Sequence, residues 1–236
     1  MVMPGSLATS RGENLLAYRL VNSKFPPIAL FDDVADADDF EALYLLQELT
    51  NPRLQNEVGR LELIPRSEIP FGIPGCSYAT SPFTHVHPEG SRFGDGSFGV
   101  LYLAERMDTA LAEVRHHQGL YWAKVPGLSY ERFVFRGLHC SFNDAGMKDA
   151  TAIPLTDPIY APDDYSHSRQ FGREARRGGY PGLRYHSVRA PGSVCWALMT
   201  PRPVISIIQA AHYEMIWSGQ IISVNQIATL EPALRR

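Results

Sequence analysis

The first apolar stretch, residues 14–21 (NLLAYRLV), reads as a β-strand, and Lys24-Phe25-Pro26-Pro27 breaks it because two adjacent prolines cannot continue a ladder. Phe40, Leu43, Tyr44, Leu46 and Leu49 then recur at helical spacing behind Asp36, Asp38 and Asp39, whose charges suit the positive end of a helix; the pattern predicts a helix ending near Asn51-Pro52. Residues 65–99 are crowded with Pro, Gly, Ser and His and predict a long loop with short extended pieces, the kind of segment that often carries function. Val100-Leu101-Tyr102-Leu103-Ala104 has no polar alternation and predicts a strand covered on both faces, followed by a helix over 109–118 with Asp108 as its cap. Beyond it, 129–142 reads as β, 163–177 as helix, and 183–188 and 193–199 as strands separated by Ala190-Pro191-Gly192. Segments 204–209, 213–217 and 220–224 extend a sheet, with Ser218-Gly219 as a turn. With no internal repeat or linker, the pattern predicts a single α+β domain over 1–236.

Composition narrows the class. A chain of 236 residues, 44% apolar and 20% charged, buries a core without staples and is neither disordered, collagen-like nor an extended coiled coil. The balance of 22 basic against 25 acidic residues, net charge −3, supplies no broad positive field for nucleic acid, leaving only a local basic groove open. No apolar run reaches the roughly 18 residues that cross a bilayer and residues 1–12 lack the pattern of a secretion leader, so the expectation is a cytoplasmic protein. Cys76, Cys140 and Cys195 are widely spaced and odd in number, which suits a reducing compartment and predicts neither disulfides nor a CxxC metal site.

Several residues do not fit a bland core. Arg19 sits inside the apolar run 15–21, where a guanidinium meets an anion such as phosphate, pairs with a core carboxylate, or reaches solvent from an edge strand. Arg92 lies in Gly90-Ser91-Arg92-Phe93-Gly94-Asp95-Gly96, whose glycines allow backbone to approach a ligand but which lacks the Walker A lysine; taken alone, a solvated loop arginine is the simpler reading. Tyr102 is a core strand residue whose ring could also pack on a planar ligand. Glu113 flanks, with His117, the apolar arc of Ala110, Leu111 and Val114, which holds a carboxylate beside the core, where it either serves structure or presents a fixed negative charge to a cleft. Strand periodicity puts Tyr185, Ser187 and Arg189 on one face, lining a pocket or an exposed edge. His85-x-His87 and His116-His117 lack the HExxH context of a metal site, and Ser187 lacks the GxSxG elbow of a hydrolase nucleophile, so no metal is expected.

Taken in order, Tyr18-Arg19, Gly90-Ser91-Arg92-Phe93, the block from Val100 to Glu105 with Thr109-Ala110-Leu111-Ala112-Glu113, and Tyr185-His186-Ser187-Val188-Arg189 resemble the RES-domain toxins, named for an arginine, a glutamate and a serine. The resemblance covers roughly residues 15–200, and the stretch around 25–74 is an insertion of helix and loop relative to compact members. It implies an ADP-ribosyltransferase-like fold of mixed β-sheets with flanking helices, NAD+ as substrate, and the toxin of a toxin–antitoxin system whose antitoxin usually carries a helix-turn-helix domain. Some members degrade NAD+ with phosphate or water; others pass ADP-ribose to an enzyme of nucleotide synthesis.

Nicotinamide in NAD+ is already a cationic leaving group, so the reaction needs an anion beside the ribose more than it needs a strong acid. On that basis Glu113, Arg19 and Ser187 form the catalytic set and Arg19, Arg92, Tyr102, Ser187 and Arg189 the NAD+-binding set. Glu113 steadies the sugar cation, Arg19 and Arg92 neutralise the diphosphate, Tyr102 packs on nicotinamide or sugar, and Ser187 orients ribose or carboxamide. The competing readings are a noncatalytic module that binds a nucleotide or a protein partner, and an RNase-type toxin; direct contact with nucleic acid or membrane is not expected.

Overall fold

The computed structural model describes residues 2–24, 31, 32, 34, 36–48 and 58–228 and is built around an eight-stranded sheet. Its strands are β1 (Asn14–Asn22), β2 (Leu101–Ala104), β3 (Glu131–Asn143), β4 (Lys148–Asp149), β5 (Gly182–His186), β6 (Val194–Leu198), β7 (Val204–Trp217) and β8 (Ile221–Ile227). The helices are α1 (Ala37–Glu48), α2 (Cys76–Thr84), α3 (Met107–Trp122) and α4 (Ser166–Arg177). Across the sheet the order is β4-β5-β6-β2-β1-β3-β7-β8, antiparallel throughout except for the parallel β4–β5 pair. The fold is α+β with a mixed sheet and flanking helices.

Side-chain alternation along β1 sorts the core into layers. Leu15, Ala17 and Val21 join a layer made by Phe31, Phe40, Ile64, Ile69 and the α2 stripe Cys76, Ala79 and Phe83, so the region 25–74 contributes side chains that cover the sheet. Tyr18 and Leu20 point the other way. Leu20 meets Trp122, Phe135, Met215 and Trp217 beneath Leu111 and Val114 of α3, where Trp122 stacks on Phe133 with ring centroids 3.8 Å apart. Tyr18 borders a third cluster, in which Phe171 and Ala175 of α4 pack on Phe93, Leu183 and Tyr185.

Several boundaries differ from the sequence reading, each for a local reason. Residues 65–99 are not all loop: Cys76–Thr84 is helical despite Pro82, because Cys76, Ala79 and Phe83 form a stripe that packs into the core and six of its nine residues are buried. The acidic run does sit at the start of α1, with Asp36 Oδ1 accepting from the backbone N–H of Asp38 and Asp39 at 2.9 Å; the foreseen end at Asn51-Pro52 lies outside the described residues, as do Phe25-Pro26-Pro27. Helix α3 starts earlier and runs longer than 109–118, with Asp108 inside its first turn and Arg106 at the N-cap. Helix α4 begins at Ser166, where Asp164 accepts the Ser166 N–H. β5 ends at His186, short of residue 188. The segments 204–209 and 213–217 are one strand, paired along β3 with two register shifts.

Candidate active site

β1 and β2 lie side by side but share a single register pair, Tyr18↔Ala104. The strands part beyond it, and the Tyr102 carbonyl is taken by a side chain instead of by β1 backbone: Arg19 Nη1 donates to it at 3.0 Å. Among the described residues no carboxylate pairs with Arg19, and burial pulls its pKa down to about 10, an effect that Cys140 and Tyr102 only partly oppose. The guanidinium therefore stands half-buried with most of its donors free to face a ligand.

The opening bounded by these strands is a cavity of about 370 Å³, within the range of small-molecule sites. Arg19, Arg92, Tyr102 and Glu113 all line it, together with His117 and Tyr165. Loop 90–94 forms one wall and is held from three directions. Tyr102 Oη accepts the Phe93 N–H at 2.8 Å and lies 2.8 Å from Ser91 Oγ. Arg92 Nη1 donates to the carbonyls of Ile159 and Ala161 at 3.2 and 3.0 Å while its guanidinium sits 4.5 Å above the Tyr165 ring. From outside, Arg169 of α4 donates to the carbonyls of Ser91 at 3.1 Å and Glu89 at 2.6 Å. Two glycines make this packing possible: Gly90 adopts φ +72, and a Cβ on Gly172 would sit 1.9 Å from the Phe93 carbonyl oxygen.

The opposite wall is α3, whose Ala110, Glu113, Val114 and His117 face the cavity. Ser187 does not line it but stands behind Glu113, 4% exposed, donating its hydroxyl to Glu113 Oε1 at 2.6 Å. The same Oγ accepts the backbone N–H of Arg189 at 3.2 Å and of Ala190 at 2.9 Å. Those two bonds leave the hydroxyl proton for the carboxylate, so the glutamate is fixed in orientation by a side chain that is itself fixed.

Glu113 is the single carboxylate among the described lining residues, against two guanidinium groups. Burial pushes Cys195 up to about 12, helped by Glu113, and keeps Tyr102 neutral by raising it to about 12. Desolvation lowers His117, against the pull of Glu113. The site thus offers one fixed negative charge beside the core, positive charge on two sides and a neutral aromatic surface, an arrangement suited to a substrate that is anionic at one end and gains positive charge at the other.

The structure brings Arg19, Arg92, Tyr102 and Glu113 into one cavity and places Ser187 directly behind it. Arg189 is elsewhere: the chain turns at Ser187 instead of continuing β5, so Arg189 does not share the face of Tyr185 and lines a second cavity. Tyr165, Arg169 and Gly172, which shape the Arg92 wall, carried no signal in the sequence. His117 was visible as a neighbour of Glu113 and in the His116-His117 pair weighed as a metal site. His85 Nδ1 lies 3.1 Å from Thr84 Oγ1, and His87 Nδ1 accepts the Glu89 N–H at 3.2 Å. Among the described residues no helix is long and apolar enough to cross a membrane.

An uncharacterized protein, y4oC of Sinorhizobium fredii, is 32% identical over 210 residues, 88% of this chain and 85% of that protein. A solved structure, the M. tuberculosis MbcT-MbcA toxin-antitoxin complex, aligns at 15% identity over 52% of this chain and 73% of that one, with a TM-score of 0.37. The model of the RES domain matches residues 69–218, more than half of the sequence and all of the cavity's lining outside β1, and this chain belongs to the RES-domain family.

Proposed function

We propose that this RES-domain protein is an NAD+-consuming toxin of a toxin–antitoxin system, working in the cytoplasm with an ADP-ribosyltransferase-like fold. The observation that carries the reading is the half-buried Arg19, without a carboxylate partner among the described residues, in one cavity with the fixed carboxylate of Glu113. A diphosphate supplies the anion that Arg19 lacks, with Arg92 as the second cation. As the bond from ribose C1′ to nicotinamide breaks, its electron pair leaves with the nicotinamide, which becomes neutral, and the positive charge passes to the sugar. Glu113 attracts that charge more strongly in the transition state than in the ground state, which is the condition for raising kcat. Ser187 keeps the carboxylate aimed, and Tyr102 supplies an aromatic flank. An acceptor then bonds to that same carbon, C1″ in ADP-ribose: a protein nucleophile, such as one on an enzyme of nucleotide synthesis, loses its proton and becomes ADP-ribosylated, water loses a proton to give ADP-ribose, and phosphate gives ADP-ribose 1″-phosphate. A cognate antitoxin, of the helix-turn-helix type common beside this family, restrains the activity.

The test is nicotinamide release by the purified protein from NAD+ labelled in its adenylate half, with and without phosphate and candidate acceptor proteins. Label on a macromolecule marks transfer, and free ADP-ribose or its 1″-phosphate marks degradation. Tight NAD+ binding without nicotinamide release would replace this reading with a binding module, and RNA cleavage that survives Glu113→Ala would replace it with an RNase.

A further inference from the structure

Nicotinamide release as proposed leaves one lining residue of the first cavity idle, Tyr185 of β5. Its ring is core: 4% exposed, it stands edge-on to Phe93 with centroids 4.8 Å apart, in the cluster that Phe171 and Ala175 join from α4. Its hydroxyl is not. No nitrogen or oxygen of the described residues bonds it, whereas the hydroxyl of Tyr102 is held by Ser91 and Phe93 and that of Tyr160 donates to the Ala150 carbonyl. Nor is it shut away from solvent without a partner, as Trp196 Nε1 is. A phenol on a buried ring that has neither a partner nor a cover opens into the cavity its residue lines. Its neighbours put it at the Glu113 end. Cys195, the register partner of Tyr185 on β6, lines the same cavity, and its thiol sits beside both Tyr185 and Ser187, a weak partner for a phenol. Ser187 donates to Glu113 Oε1, and Oε2 takes no hydrogen bond from the described residues. Burial first, then Cys195, Glu113 and Tyr102, raise Tyr185 well above the usual phenol range, so the hydroxyl keeps its proton and has it to give.

We propose that Tyr185 Oη is a ligand-reading group of this cavity and that, with Glu113, it grips a sugar hydroxyl. The carboxylate only accepts, and the phenol beside it has a proton to donate. A hydroxyl satisfies both at once, accepting from one and donating to the other; a carbonyl or an ammonium group satisfies one and leaves the other bare. The Tyr185 O–H donates to the hydroxyl oxygen, and the hydroxyl's own proton goes to Glu113 Oε2. The inference rests on the NAD+ reading, under which the hydroxyl is one on the ribose that carries nicotinamide. Tyr185 then holds that sugar against the carboxylate that steadies its charge, while Arg19 and Arg92 hold the diphosphate.

The test titrates the full chain, wild type and Tyr185→Phe, with ADP-ribose and with ADP by calorimetry. The two ligands share the diphosphate and differ by that ribose, and neither has a nicotinamide to lose. Because the hydroxyl bonds no nitrogen or oxygen of the described residues, Tyr185→Phe keeps the ring packing and its Tm stays within about 2 °C of wild type. Wild type is expected to bind ADP-ribose about tenfold more tightly than ADP, and Tyr185→Phe to bind ADP with unchanged affinity but ADP-ribose about fivefold more weakly. Equal affinities of wild type and Tyr185→Phe for both ligands overturn the role of Tyr185 and leave the NAD+ reading standing. An equal loss for ADP and ADP-ribose puts the hydroxyl on the part the ligands share and overturns the sugar assignment. Wild type that binds neither ligand removes the NAD+ reading itself, and this inference with it.

Discussion

On the β1 side of the cavity, Arg19 commits one donor to the Tyr102 carbonyl and keeps the others, whereas on the loop side Arg92 donates to two carbonyls and rests on the Tyr165 ring. The two guanidinium groups face the same space but do different work. Arg92 is a strut, only 7% exposed and tied to the 159–161 backbone, so its presence shapes the wall as well as charging it. Arg19 is a charge held in place by the sheet, in a position whose desolvation depresses its pKa and which an arriving anion relieves. One cation is therefore largely satisfied before the substrate binds and the other is not, and ligand affinity should weigh on the unsatisfied one.

The largest effect is expected from the anion between these walls. Glu113→Gln keeps the shape and the hydrogen bond from Ser187 but removes the charge, and nicotinamide release should fall by about a hundredfold in kcat with KM for NAD+ nearly unchanged. A steady-state comparison settles it; an equal rise in KM with kcat intact would make Glu113 a binding residue and leave the walls without a catalytic group between them.

The arginine comparison itself is tested by a matched pair that keeps the aliphatic stems. Arg19→Met should weaken NAD+ binding about tenfold and move Tm by less than about 3 °C, since it loses one hydrogen bond but also relieves a desolvated charge. Arg92→Met leaves the Ile159 and Ala161 carbonyls without their donor and should cost about 3 kcal/mol, a fall of roughly 6–12 °C in Tm, with a smaller loss of affinity. Calorimetric titration and thermal melts on both variants decide it. The same Tm loss in both would erase the distinction.

Ser187→Ala asks whether orientation matters beyond charge. Glu113 then loses the 2.6 Å hydroxyl contact and the turn loses its acceptor for Arg189 and Ala190. We expect kcat to fall about tenfold with little change in KM. Ser187→Thr, which restores the hydroxyl, should recover most of it, a rescue that a purely structural role in the turn would not require to track kcat.

How much of this was legible in the sequence depends on the distance over which each feature is determined. Arg19 and Glu113 stand out because each breaks or flanks a local apolar pattern, and strand and helix periods are short-range properties, whereas Tyr102 sits unremarked inside an apolar run and joins the set only through the family's ordered residues. Ser187 was visible as part of the family's ordered residues, but its bond to Glu113 spans 74 positions and no spacing encodes it. The same holds for Arg169, which reaches back 78 residues to Ser91, and for Gly172, whose missing side chain matters only because Phe93 lies against it. Arg189 was misplaced because a period of two was carried past His186, where the Ser187 side chain bends the chain. Helix α2 was hidden by its Ser, Thr and Pro content, which read as loop until burial against the sheet outweighed propensity. The extent of β7 was likewise set by its partner, since 210–212 look like an interruption until Ala211 and His212 are paired with Gly137 and Arg136 of β3.

The smallest effect tests whether the loop wall is passive. Tyr102 Oη accepts from the Phe93 N–H, so its own proton goes to Ser91 Oγ, and burial that raises its pKa to about 12 keeps that proton in place at neutral pH. Tyr102→Phe removes both bonds without changing the ring, and the Phe93 N–H is left without its acceptor. Stability should fall by about 1–2 kcal/mol, roughly 2–8 °C in Tm. Arg92 remains on its two carbonyls and on Tyr165, so the wall loosens without losing its charge: KM for NAD+ should rise about threefold and kcat stay within about twofold. If Tyr102→Phe instead lowers kcat as steeply as Glu113→Gln, the hydroxyl acts on the reacting atoms, and the strand side of the cavity, not Glu113 alone, carries the chemistry.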